Sequence, residues 1–275
     1  MKTLEGMVMK KLLSVVLIIM MCATLSVGCS SGTTTTPPST TTAEPVALNV
    51  FAAASLTEAL NEIAALYKVK NPDVSLVFNF DSSGKLQTQI ENGAEADLFL
   101  SAATRQMTAL ADGGYVDEAT QKDLLLNRVV LIVPGDSENG ITSYEDVATD
   151  KVSLIALGNA DVPCGQYAEE IFKSLGEWDA IQTKISFGGN VKEILSQVEN
   201  GSVDAGVVYS TDVATATGDI KIAADAPEGS HAPVIYPAAV LKGAKDTEAA
   251  KAFLDYLSAS EAVAVFEKIG FTMVK

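Results

Sequence analysis

From residue 46 to the end of the chain, short unbroken apolar runs alternate with stretches in which apolar residues recur every third or fourth position. The first pattern marks buried strands and the second marks helices with one face on a core. Strands are predicted over residues 46–53, 74–80, 97–101, 128–134, 152–157, 205–209 and 234–241. Leu56, Leu60, Ile63 and Tyr67 keep helical spacing, as do Val191, Ile194, Leu195 and Val198. Phe253, Leu257, Val263 and Phe266 predict two short helices near the C-terminus. Strands alternating with helices predict an α/β body with mainly parallel sheets, and no internal repeat is visible. About 230 residues suit one doubly wound sheet or two smaller ones, and the pattern does not choose.

The N-terminal pattern is different. Lys10 and Lys11 precede an apolar run over residues 12–28, short for a membrane span, which reads as the basic and hydrophobic regions of a secretory signal. It ends in Leu25-Ser26-Val27-Gly28-Cys29, which resembles a bacterial lipobox with Cys29 as the lipidated residue. Ser26 departs from that pattern, where an aliphatic residue is usual. The other reading is an uncleaved N-terminal membrane helix, and both place the body outside the membrane. In residues 30–45, 13 of 16 side chains are Thr, Ser or Pro, a composition that buries no core. Residues 1–28 are therefore read as a signal peptide and 29–45 as a tether.

Composition narrows the function classes. The formal charge is −16, and removal of residues 1–28, with three Lys and one Glu, would leave −18. No basic stripe is present for a nucleic acid. With 48% hydrophobic and 20% charged residues the body is a folded one. The body carries one cysteine, Cys164, and the whole chain one histidine, His231, so neither a disulfide framework nor a His/Cys metal site is expected. His231 lies in Pro227-Glu-Gly-Ser-His-Ala-Pro233, which reads as a loop between strands, so a hydrolase using Ser55 or Cys164 as nucleophile has no expected base. No enzyme activity is expected, and Cys164 reads as a small apolar filler.

The strand-to-helix turns hold the candidate chemistry. Ser55 and Glu58 have the spacing of a capping box, with Ser55 as N-cap. Similar turns of small residues occur at Phe80-Asp-Ser-Ser-Gly-Lys-Leu86, Val162-Pro-Cys-Gly-Gln-Tyr167 and Gly188-Gly-Asn-Val-Lys-Glu193. Each can be a structural cap alone. Together, their unpaired amides and hydroxyls suit an anion, which a helix N-terminus favours without a cationic side chain.

These segments carry a family resemblance. Phe51-Ala-Ala-Ala-Ser-Leu-Thr57, Asp81-Ser-Ser-Gly-Lys-Leu86, residues 96–102, Val162-Pro-Cys-Gly-Gln-Tyr167, Gly206-Val-Val-Tyr-Ser-Thr-Asp212 and residues 266–272 resemble, in joint order and spacing, a molybdate-binding protein, the extracytoplasmic receptor of a molybdate ABC transporter. The resemblance implies a type II periplasmic-binding-protein fold. Two α/β domains, residues 46–126 plus 237–275 and residues 127–236, are joined by two crossovers with the ligand between them. It implies high-affinity capture of molybdate or tungstate and delivery to a membrane permease by a monomeric lipoprotein. No cofactor is implied, and molybdenum would be held only as the oxyanion. The implied oxyanion donors are the hydroxyls of Ser55, Ser83 and Tyr209 and the amides of Cys164 and Val191. The alternative is a receptor of the same fold for sulfate, another oxyanion or a small organic anion. Two residues depart from the family's pattern. Cys164 stands where Ala is more usual, and Asp81 stands where small residues are common, so its carboxylate is expected to face solvent or cap a turn.

Overall fold

The computed structural model describes residues 45–275, so the expected signal peptide, lipidated Cys29 and all but the last residue of the tether lie outside the described residues. In chain order the elements are β1 (Val46–Ala53), α1 (Thr57–Lys70), β2 (Val74–Asp81), α2 (Ser83–Glu91), β3 (Leu98–Leu100), α3 (Thr104–Asp112), β4 (Lys122–Asn127) and β5 (Val129–Pro134). They continue with β6 (Ile155–Gly158), α4 (Pro163–Ser174), α5 (Trp178–Ile181), β7 (Ile185–Gly188), α6 (Val191–Glu199), β8 (Ala205–Tyr209), α7 (Ser210–Ala214) and β9 (Ile220–Asp225). The last are β10 (Val234–Val240), α8 (Thr247–Tyr256), α9 (Ser260–Ile269) and β11 (Thr272–Met273).

The strands form two sheets, a six-stranded one ordered β11-β4-β10-β3-β1-β2 and a five-stranded one ordered β7-β6-β8-β5-β9. Two sheets, each with its own helices, make the two α/β domains of the implied fold. The chain passes from the first to the second between β4 and β5, through Arg128, and returns between β9 and β10.

The sheets are mixed rather than mainly parallel. β1 pairs in parallel with β2 and β3, and β6 with β7 and β8, as helix-linked units require. β10 runs antiparallel to β3 and β4, and β5 runs antiparallel to β8 and β9. The cause is the crossover itself. A strand arriving from the other domain enters its sheet from the junction, the end where the parallel strands finish, and so runs against them.

All seven expected strands are present within three residues at either end, whereas β4, β7, β9 and β11 were not expected. β4 reads Lys-Asp-Leu-Leu-Leu-Asn, whose leucines carry no strand preference; its conformation follows from pairing with β10 and β11 on either side. β7 and β9 are edge strands and β11 has two residues. The helical faces are as expected: Leu56, Leu60, Ile63 and Tyr67 are buried, as are Val191, Ile194, Leu195 and Val198. Near the C-terminus Val265 rather than Val263 joins Phe266 in the core.

The capping box at Ser55 does not form. Ser55 lies in a 3-10 turn, Ala54–Leu56, and α1 starts at Thr57 without a side-chain cap. Its hydroxyl is 2.8 Å from the Tyr236 hydroxyl, and Glu58 pairs with Lys192 at 2.9 Å. Partners distant in sequence have taken both halves of the box.

Candidate functional site

The C-terminal ends of β1, β2 and β3 face those of β6, β7 and β8, where strand-to-helix turns concentrate. A small cavity lies there, lined on the first side by residues including Ser55, Ser83 and Ala102, and on the second by Val162, Cys164, Val191 and Tyr209. All five residues expected at the site therefore line one cavity.

Each turn is fixed by local chemistry. Ser82 is the N-cap of α2 and accepts from the Lys85 amide, which puts Ser83 in the first turn. Ser83 Oγ accepts the Ala102 amide at 2.9 Å, leaving its hydroxyl hydrogen for the cavity. Asn190 caps α6 by accepting from the Glu193 amide at 3.0 Å, so Val191 is the first residue of that helix. Pro163 is the first residue of α4 and Cys164 the second. Amides at these positions have no intrahelical acceptor and carry the positive end of the helix dipole.

Glycines allow α4 to sit this deep. A Cβ on Gly165 would lie 2.2 Å from the Gly158 carbonyl oxygen, so helix and strand meet backbone to backbone. The domains also touch directly. The Gly84 amide donates to the Asp161 carbonyl at 3.0 Å, Asn190 Nδ2 donates to Asp81 Oδ1 at 3.3 Å, and Lys192 Nζ reaches Glu58.

Three side chains settle the electrostatics. Tyr209 is 1% exposed, and its hydroxyl has no hydrogen-bond partner among the described residues. Burial pushes its pKa well above the usual value, so it stays a neutral donor. Asp81 lines the cavity, but its Oδ1 accepts from the Ser82 amide at 2.7 Å, Lys85 Nζ and Asn190 Nδ2. It caps the turn, as expected, and its charge is shared among donors. Cys164 turns its thiol away, donating to the Val207 carbonyl at 3.4 Å, and burial raises its pKa. Its thiol fills the core, while the residue lines the cavity from the first turn of α4. Alkylation of Cys164 in native protein is therefore expected to be slow, at the same rate with and without oxyanion, and fast in urea; protection by the anion would place the thiol in the cavity instead.

Sequence reasoning missed Lys192, Asp212, Asn127 and Tyr236 around this site. Asp212 is fully buried, its Oδ2 accepts the Tyr209 amide, and Lys192 Nζ lies 3.3 Å from its Oδ1. Burial raises its pKa to about 6 despite Lys192 and the amide. A carboxyl raised on folding stabilises the native state below its unfolded pKa, and that contribution is lost as pH rises through about 6. Relative to Asp212→Asn, the wild-type chain should lose on the order of 3 kcal/mol of stability between pH 4 and 7. Urea unfolding of both proteins across that range checks this; parallel profiles would refute it.

Among the described residues no group of three or more His, Cys, Asp or Glu side chains could hold a metal ion, and no helix is long and apolar enough to cross a membrane. His231 lies in the loop between β9 and β10, outside the cavity lining, with Nδ1 2.6 Å from the Ala232 carbonyl oxygen.

A family model described as bacterial extracellular solute-binding protein matches residues 48–272. The chain belongs to this family. Within it, the chain is 39% identical to the molybdate-binding protein ModA of Escherichia coli, over 82% of this chain and 89% of that protein. It is 41% identical to YvgL of Bacillus subtilis, named as an ABC-transporter substrate-binding lipoprotein, over 82% and 86%. A solved structure from Clostridium difficile, described as the substrate-binding domain of a molybdenum ABC transporter, is 39% identical with a TM-score of 0.64, covering 84% of this chain and all of that one. These relatives bear out the resemblance to molybdate receptors read from the sequence, and they are solute-binding receptors of transporters, not enzymes.

Proposed function

We propose that this solute-binding protein captures molybdate, and tungstate with it, outside the membrane and delivers the anion to the permease of an ABC transporter. The observation that carries the reading is the donor set: the hydroxyls of Ser55, Ser83 and Tyr209 and the amides of Cys164 and Val191 surround one small cavity without a cationic side chain in its lining. A fully deprotonated tetrahedral oxyanion only accepts hydrogen bonds, whereas phosphate keeps a proton near neutral pH and wants an acceptor. Donors from both domains meet on the same ligand, so binding favours the closed arrangement, the form a permease reads. The same donors suit sulfate, the second reading, and size separates the two. Competition calorimetry with molybdate, tungstate, sulfate and phosphate tests this. Molybdate and tungstate should bind tightly and displace sulfate; a preference for sulfate would overturn the assignment.

The receptor works as a monomer held to the membrane by lipid on Cys29, with residues 29–45 as tether after loss of the signal peptide. Its domains, residues 46–126 with 237–275 and residues 127–236, close about the two crossovers. The YvgL relative, named as a lipoprotein, and the lipobox-like sequence support this anchoring.

A further inference from the structure

Ser55 can serve an anion only if its hydroxyl hydrogen points at the ligand, and the groups behind it decide that. Ser55 Oγ lies 2.8 Å from Tyr236 Oη, and either could donate. Asn127 breaks the tie. Its Oδ1 accepts the Arg128 amide at 2.8 Å, a group that can only donate, which fixes which end of the side-chain amide is oxygen. Its Nδ2 therefore faces Tyr236 Oη at 3.2 Å and Thr211 Oγ1 at 2.9 Å, and donates to both. Tyr236 is 1% exposed, accepts from Asn127, and has Ser55 Oγ as the acceptor for its own hydrogen. An unmade bond there would leave a buried hydroxyl unsatisfied. With a lone pair of Ser55 taken by Tyr236, the Ser55 hydrogen turns to the cavity that Ser55 lines.

We propose that Asn127 and Tyr236 are positioning residues that hold Ser55 as a donor toward the cavity, and so select an oxyanion carrying no proton. The proposal rests on the reading of the cavity as the oxyanion site. It also joins the site to the crossovers. Asn127 ends β4 of the six-stranded sheet at the first crossing, Tyr236 lies near the start of β10 of the same sheet after the second, and Thr211 and Ser210, both bonded to Asn127, open α7 directly after β8 of the five-stranded sheet. The hydrogen order is thus set by groups that meet where the two domains join.

Calorimetry on Ser55→Ala, Tyr236→Phe and the double variant, with molybdate and phosphate as probes, tests it. Each single change should weaken molybdate about tenfold, and the double variant should bind no more weakly than Ser55→Ala alone. Additive losses would overturn the positioning role. If Ser55→Ala binds molybdate as tightly as wild type, the site reading itself fails. If Ser55→Ala weakens binding and Tyr236→Phe does not, the site stands and the positioning role fails. Asn127→Asp gives a second route that keeps the shape. An aspartate cannot donate to Tyr236, so it takes the Tyr236 hydrogen, Ser55 then donates to Tyr236, and a Ser55 lone pair faces the ligand. The molybdate-to-phosphate affinity ratio should fall about tenfold. An equal loss for both anions would mark a merely structural role and overturn the proposal.

Discussion

Ser83→Ala combined with Tyr209→Phe is expected to weaken molybdate binding between about 100-fold and 10,000-fold, since each hydrogen bond to a charged group contributes about 1.5–3 kcal/mol. The two changes should differ in their cost to the unligated protein. Tyr209→Phe removes a buried hydroxyl without a partner among the described residues, so unligated stability should hold or rise slightly. Ser83→Ala removes the acceptor of the Ala102 amide and should cost about 1–2 kcal/mol. Calorimetry for affinity and thermal unfolding for stability separate the effects. Unchanged molybdate affinity in the double variant would sink the site assignment.

Gly84→Ala is expected to weaken binding by a different route. Gly84 is in the first turn of α2, and its amide donates to the Asp161 carbonyl across the junction of the two domains. A Cβ there would lie 2.4 Å from the Asp161 oxygen and 2.8 Å from its Cα. Both are backbone atoms and cannot swing aside, so the domains must part. Neither sheet is touched, and Ala favours the helix more than Gly, so the unligated protein should melt at or slightly above the wild-type temperature. Molybdate affinity should fall at least about tenfold, because donors on the second side no longer reach an anion held by the first. Small-angle scattering should show no compaction on adding molybdate; wild-type affinity and compaction would mean that the contact is incidental to closure.

How much was legible in the sequence can be judged residue by residue. Ser83 and Val191 were readable because their turns are local: Ser82 and Asn190 cap the helices that follow them, and both caps close within three residues. Ser55 lines the cavity, but its hydroxyl has a different partner from the one its spacing suggested. Its spacing to Glu58 satisfies the capping rule, yet Tyr236, 181 residues away, holds the hydroxyl. Asn127, Tyr236, Asp212 and Lys192 carried no local signal, since each acts through a contact with another part of the chain. Cys164 was ambiguous as a residue type and became clear once its thiol was seen on the Val207 carbonyl.

Hydrophobic patterning by itself determined the α/β class, the positions of seven strands and the buried faces of the helices, because a strand or helix that buries one face must repeat with its own geometric period. Turn composition determined that several helix starts would present bare amides and hydroxyls, a property of a few consecutive residues. The tertiary structure alone decided which of these starts face one another, which way the crossover strands run and which hydroxyl hydrogens are free. Those outcomes depend on partners far along the chain, brought together when two sheets bury their apolar faces and leave their polar ends to meet at the junction. In a chain of −16 formal charge, an anion bound at that junction would be held by nearby amide and hydroxyl dipoles, which outweigh a net charge that is distant and screened by salt.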